Sequence, residues 1–133
     1  MKLIYGEIEP GLRIGNFIIG SNKEDVVSRI SGKYKVWERG DGFCAFTMDN
    51  FKLWFGVNGE LEQIGVTKGF LGSYKSIGIG QTMKEVTMQL GKYENDGDVY
   101  SIAGINGICF ELEDVDDWDE LTAPIEWIFV YKC

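Results

Sequence analysis

The sequence predicts an α+β protein in which two tandem repeats, each a helix followed by antiparallel strands, form one continuous antiparallel sheet with both helices packed on one of its faces. Three observations support this prediction. A short sequence pattern occurs twice, 60 residues apart. Each copy carries the signals of a capped helix. Each copy is followed by short apolar segments typical of strands. The length of 133 residues suits a single domain around one core.

The repeated pattern begins with an Ile-Gly dipeptide and continues with two polar residues, a Lys-Glu pair and a valine. An aliphatic residue follows four positions after each valine, and a glycine and an aromatic residue come soon after it. The two copies occupy residues 15–34 and 75–93. Internal self-similarity of this kind predicts that the same supersecondary unit is built twice. We therefore expect one domain over residues 1–133, with repeats at about 15–68 and 75–132.

Each copy predicts a short helix. Candidate N-caps are Ser21 or Asn22 in the first copy and Gln81 or Thr82 in the second, since these side chains can accept from free amides. Glu24 and Glu85 fall in the first turn, where a negative charge is favoured. Gly32 and Gly91 are natural terminators.

Short apolar segments after each helix predict strands. They are Phe43–Phe46, Phe51–Val57 and Leu61–Thr67, then Val99–Ile102, Gly107–Glu113 and Ile125–Tyr131. Asn58-Gly59 predicts a tight hairpin turn in the first half. The corresponding connection in the second half is the long acidic segment Asp114–Pro124. Long loops inside compact domains are often functional or mobile.

The duplicated pattern, followed by hairpin strands, resembles the tandem repeat of β-lactamase inhibitor protein and the single copy in small outer-membrane assembly lipoproteins. The resemblance covers about residues 15–131. We expect no lipobox cysteine, secretion signal or disulfide pair of those families here. In size and acidity the chain is similar instead to bacterial immunity proteins, which protect cells from contact-dependent or other polymorphic toxins. The resemblance implies an inhibitor of a toxin domain.

Composition argues against several kinds of active site. The chain has no histidine, so Ser-His, Cys-His and histidine–metal chemistry are excluded. Its three cysteines, Cys44, Cys109 and Cys133, form no CxxC pair, and we expect them to be reduced. We predict a non-catalytic protein with no cofactor and no metal. No apolar stretch approaches the ~20 residues that span a bilayer, so we expect a cytoplasmic protein with no membrane partner.

The net charge of −8 lies entirely in the second half. Residues 1–72 carry nine acids and nine bases, whereas residues 73–133 carry twelve acids and four bases. Seven of the ten residues from Glu111 to Glu120 are acidic. The negative electrostatic field of these residues repels nucleic acid and attracts basic proteins. We therefore expect a basic protein partner and no direct nucleic-acid contact.

Strand alternation predicts that one sheet face carries aromatic residues mixed with carboxylates. Aromatic anchors in a polar surround are typical of protein-binding hot spots. The alternative is that the N-terminal segment or a dimer partner buries them. The candidate anchors are Trp54, Trp127, Phe129 and Tyr131, and the candidate steering and pairing acids are Glu111, Glu113, Asp114, Asp116, Asp117, Asp119 and Glu120.

The acidic loop is open to three interpretations. It is a solvated segment, a site for a basic partner, or a calcium site, although the glycine and distant glutamate of an EF-hand are absent. Trp118 is either a peripheral anchor or tucked into the fold. The sequence thus predicts a cytoplasmic immunity protein that neutralises a basic toxin domain, with a nuclease as the expected activity. The alternatives are a carboxylate-dependent hydrolase, a calcium-responsive domain, or a self-assembling structural protein; the oligomeric state is left open.

Overall fold

The computed structural model describes residues 2–133 and shows a chain dominated by antiparallel β-sheet. Strands make up 39% of it and helices 11%. The main element is a single eight-stranded antiparallel sheet. The predicted fold class, two helix-plus-strand repeats with helices packed on a sheet, is therefore wrong.

The elements are as follows. The helices are α1 (Lys23–Ser28) and α2 (Met83–Leu90). The short strands are β1 (Ile8–Glu9), β2 (Arg13–Ile14), β3 (Phe17–Ile18), β8 (Ser73–Tyr74) and β9 (Ile77–Gly78). The strands of the large sheet are β4 (Lys35–Glu38), β5 (Cys44–Thr47), β6 (Phe51–Phe55), β7 (Leu61–Val66), β10 (Tyr93–Asp96), β11 (Val99–Ile102), β12 (Ile108–Leu112) and β13 (Ile125–Tyr131).

The large sheet has the strand order β10-β11-β12-β13-β7-β6-β5-β4. Strands β4–β7 form one four-stranded half and strands β10–β13 form the other. The halves meet where β7 pairs with β13, with Ile64 opposite Val130 and Gly65 opposite Phe129. All neighbouring strands are antiparallel. The two edge strands of the sheet are therefore β4 and β10.

One face of the sheet, the inner face, forms the floor of the core. Its side chains, such as Leu53, Ile64 and Phe110, are fully buried. They pack with residues of the short strands and of both helices, including Ile14 and Val86. Helices of six and eight residues are too short to cover eight strands, so the short hairpins complete the cover. This is the physical reason for the error in fold class.

The helix starts agree with the sequence prediction. The Asn22 side chain caps α1 by accepting from the Glu24 N–H at 2.8 Å. Thr82 and Glu85 form a reciprocal capping box at the start of α2. Gly91, at φ 97°, follows α2 in a conformation that favours glycine. Within residues 2–133, neither helix has the length and apolarity that a bilayer crossing requires.

Candidate functional site

The second face of the sheet, the outer face, carries the predicted anchors. Trp54 lies opposite Gln63, and Gln63 lies opposite Tyr131 across the junction of the two halves. Phe129 and Trp127 alternate with the inward-facing Ile128 on β13, so they share this face as well. Strand alternation therefore brings all four predicted anchors onto one surface.

Three of these rings form an aromatic cluster, consisting of Trp54, Trp127 and Phe129. Phe129 stacks on Trp127 with ring centroids 5.7 Å apart and an interplanar angle of 7°. Trp54 meets the same Phe129 ring edge-on at 5.8 Å. Phe129 is only 7% exposed, while the two tryptophans are half-buried. The cluster is thus a preformed apolar centre whose outer rings remain accessible.

Gly65 explains the position of the cluster. A Cβ at this site would lie 2.8 Å from Phe129 Cδ1 and Cε1, closer than real contacts allow. The missing side chain lets the Phe129 ring lie against the β7 backbone. Tyr131 is half-buried next to it, and together with Trp54 and Gln63 it borders a depression of about 360 Å³.

Charged groups flank the cluster with opposite signs. On the β6 side, Lys52 Nζ lies 4.9 Å from the centroid of the Trp54 ring, a cation–π contact. On the β12 side, Glu111 lies opposite Trp127. Desolvation raises the pKa of Glu111, and the nearby charges of Asp98 and Glu126 raise it further. The acidic side of the outer face therefore concentrates negative charge beside the rings.

Cys109 lies next to Phe129 on the outer face. Burial raises the pKa of its thiol to about 11, with a further contribution from the charge of Glu111. The thiol is therefore protonated at neutral pH and a poor nucleophile. All three cysteines are free.

The structure separates the predicted acidic residues of the loop into two groups. Glu120 turns back towards the inner side of the sheet, where Tyr93 Oη donates to its Oε2 at 2.5 Å and Tyr100 Oη donates to its Oε1 at 3.1 Å. We call this arrangement the tyrosine–glutamate clasp. The other loop carboxylates are exposed; they are Glu113, Asp114, Asp116, Asp117 and Asp119.

The acidic loop joins the outer face at a cleft of about 500 Å³. Glu111 of the outer face, Asp114 and Trp118 of the loop, and Asp98 of the β10–β11 turn border it. Trp118 is 47% exposed, so it is not tucked into the core. Within residues 2–133, no group of three Cys, Asp or Glu side chains has the geometry to hold a metal ion.

Sequence reasoning missed the surface around β4. Trp37 is 56% exposed on this edge strand. On the inner face of β4, opposite to Trp37, a groove of about 820 Å³ runs between α1 and the sheet. Val27, Tyr34 and Phe46 border it. The adjacent strand-favouring residues Val36 and Trp37 are the local signal of this strand.

No family model matches the chain, and no curated protein matches its sequence. Solved structures do match. The uncharacterized protein yfeY from Escherichia coli has a TM-score of 0.57 and 12% identity, covering 99% of this chain and 100% of that one. A cysteine-rich secretory protein from Staphylococcus aureus subsp. aureus Mu50 has a TM-score of 0.56 and 13% identity, covering 99% of this chain and 51% of its own. This chain thus spans about half of the staphylococcal protein, and the similarity shows the fold alone.

Proposed function

We propose that this protein is a non-catalytic inhibitor that binds a basic protein through the outer face of its sheet, acting as an immunity protein against a toxin domain. The observation that carries the proposal is the aromatic cluster, because three packed rings lie on an accessible sheet face with carboxylates beside them. Packed tryptophans at the centre of a surface are the residues that most often dominate protein–protein affinity.

The aromatic cluster and the acidic loop contribute to binding in different ways. The half-buried rings of Trp54 and Trp127 offer apolar surface that is already fixed by packing, so a partner orders few side chains on docking. The exposed loop carboxylates extend the negative field around the cleft beside Glu111. Such a field speeds the approach of a basic partner and disfavours nucleic acid. A basic nuclease domain, which carries positive charge to hold its own substrate, suits this surface.

The test is neutralisation of a toxin domain encoded beside this chain. We expect co-expression of the wild-type chain to restore growth of cells that produce the toxin domain. A double variant, Trp54→Ala with Trp127→Ala, should lose protection while keeping the fold. The control is Tyr5→Ala, which removes a 70% exposed ring of the N-terminal segment that lies outside the aromatic cluster. Equal protection by all three proteins, or none by the wild type, would contradict the proposal.

The loop carboxylates are tested separately, by association rate. Reversing Asp116 and Asp117 to lysine should slow association with the basic toxin domain and leave dissociation nearly unchanged, because these exposed charges act over distance. The effect should shrink as salt is raised towards ~0.5 M, since screening shortens the field. Stopped-flow fluorescence at two salt concentrations measures it. A change confined to the dissociation rate would contradict steering.

One observation favours a second candidate, carboxylate-dependent hydrolysis. The cleft brings Asp98, Glu111 and Asp114 together beside the Trp118 ring, and the raised pKa of Glu111 suits a proton donor. Turnover of a glycoside or ester panel that is lost in Glu111→Gln would support this candidate, and its absence would leave the inhibitor as the better account.

A further inference from the structure

The two free edges of the large sheet differ in character. Within residues 2–133, each edge strand has one neighbour in the sheet and leaves a row of backbone groups unpaired on its other side. On β10, Glu94 would lie opposite Asp96 if two copies of this strand paired antiparallel about Asn95. On β4, Val36 is 44% exposed and Trp37 lies beside it. The β4 edge is thus the less protected of the two.

The backbone groups of β4 that point outwards can be identified. The Arg39 N–H donates to the Phe43 carbonyl at 3.0 Å, directly after the pair formed by Glu38 and Cys44. Direction alternates along a strand, so Lys35 and Trp37 also face β5. The N–H and C=O groups of Tyr34, Val36 and Glu38 therefore face the free edge.

We infer that β4 pairs with β4 of a second copy of this chain, antiparallel, about a two-fold axis at Val36. Opposed residues in a sheet share a face, which restricts the allowed registers. In this register Val36 lies opposite itself, Lys35 opposite Trp37, and Tyr34 opposite Glu38. The outward backbone groups form up to about six hydrogen bonds across the axis.

The side-chain pairs from Tyr34 to Glu38 are complementary in this register. Lys35 over Trp37 repeats the contact that Lys52 already makes with Trp54 at 4.9 Å. Tyr34 with Glu38 repeats the tyrosine–glutamate clasp. The Tyr34 hydroxyl has no hydrogen-bond partner in the part of the chain that the structure describes, although its ring packs on Phe46.

The neighbouring register, centred on Trp37, is less favourable. It sets Lys35 opposite Arg39 and Val36 opposite Glu38. In the Val36 register the like charges meet only at the ends, where Lys33 opposes Arg39, and Arg39 is paired with Asp41 at 2.7 Å. The two-fold operation closes after two copies, so it gives a dimer and not a fibre.

The pairing is weak and depends on concentration. It uses one short strand, and each copy carries a net charge of −8, which opposes association. Added salt screens that repulsion and should strengthen the dimer. The pairing also leaves the outer face accessible. The dimer can therefore be tested separately from the proposed binding of a toxin domain.

The first test is sedimentation equilibrium over a hundredfold range of concentration. We expect the wild-type mass to rise from 15.0 kDa towards twice that value. Val36→Pro removes an N–H that faces the free edge and none that bonds to β5, so it should stay monomeric with an unchanged circular dichroism spectrum. A wild type that is monomeric throughout, or an assembly that Val36→Pro leaves intact, would overturn the inference.

The second test identifies the register of the strand pair. It does not require that the Val36→Pro variant folds. In a Cys133→Ser background, Val36→Cys places two thiols across the axis within disulfide reach, whereas Trp37→Cys does not. Mild oxidation should cross-link the first variant at least tenfold more than the second. Equal cross-linking, or preference for position 37, would overturn the register.

Discussion

The two halves of the sheet differ most in the connection between their last two strands. Between β6 and β7 the chain turns tightly through Asn58 and Gly59, and Gly59 adopts φ 79°. Between β12 and β13 it makes the long acidic excursion of residues 113–124. Each half places a pair of rings beside its helix, Tyr34 with Phe46 in one and Tyr93 with Tyr100 in the other.

The difference determines which ring pair is covered. In the second half, the long loop lies back over the rings, and its Glu120 accepts from both tyrosine hydroxyls. The Leu121 carbonyl also accepts from the Lys84 amide at the start of α2. In the first half the tight turn supplies no such residue, so the groove beside α1 stays open. The long connection between β12 and β13 therefore covers its ring pair and stabilises the fold. The short connection between β6 and β7 leaves the groove beside α1 open.

The largest expected effect is at the junction of the halves. Gly65→Val places side-chain atoms where the Phe129 ring lies, so the ring must leave the β7 backbone. Overpacking of this kind costs about 1–3 kcal/mol. Urea unfolding measures the loss of stability, and the tryptophan emission spectrum should shift as the aromatic cluster opens. A stability equal to wild type would show that the cluster does not depend on Gly65.

Removal of the clasp should have the next largest effect. Glu120→Ala leaves the Tyr93 and Tyr100 hydroxyls without their acceptor, which costs about 1–2 kcal/mol of folding free energy. Glu24→Ala is the control, because Glu24 borders the open groove and accepts from neither ring pair. It should change stability by no more than about 0.5 kcal/mol. Similar losses of folding free energy in both variants would contradict the proposed difference between the two halves.

The clasp should also be visible in a tyrosine titration. The hydrogen bond to Glu120, together with desolvation and the charge of Glu120, raises the pKa of Tyr93 from 10.0 to about 12. The folded protein thus keeps a proton that the unfolded chain loses, so this contribution to stability is full below pH 10 and is lost as the pH rises to about 12. Ultraviolet absorbance should show a late-ionising tyrosine in the wild type, and Glu120→Gln should lower its pKa. An unchanged titration would contradict the clasp.

The smallest effect concerns the acidic side of the outer face. Desolvation, Asp98 and Glu126 raise the pKa of Glu111, so its charged form destabilises the fold as the pH rises through the carboxylate range. Glu111→Gln should therefore stabilise the protein at pH 7, by about 0.5 kcal/mol, while it weakens binding of the basic partner. Thermal unfolding at pH 7 measures the first effect. A destabilised variant would show that the charge supports the fold.

Local features of the fold could be predicted from the sequence. The caps at Asn22 and Thr82 were among the predicted candidates, and the Asn58-Gly59 turn lies between β6 and β7 as expected. These features depend on a few neighbouring residues. The strands β4 and β10 were missed because edge strands are exposed and lack a long apolar alternation. Val57 is the last residue of the predicted strand Phe51–Val57, yet it follows β6 and is 61% exposed.

The architecture and the clasp depend on distant contacts, which the sequence does not show. Two-residue strands such as β1 and β8 carry no periodic pattern and are held by the elements around them. Glu120 looked like a surface acid because its partners lie 27 and 20 residues away. The outer face was easier to predict, since Trp54, Trp127 and Phe129 follow from strand alternation alone.

The central claim is that the aromatic cluster is the surface that contacts the partner. The most direct measurement is the dissociation constant of the Trp127→Ala variant, by titration calorimetry against the basic toxin domain that the wild type neutralises. We expect a loss of more than ~2 kcal/mol, or about 30-fold in affinity, with Tyr5→Ala unchanged. A Trp127→Ala variant that binds within about twofold of wild type would contradict the claim.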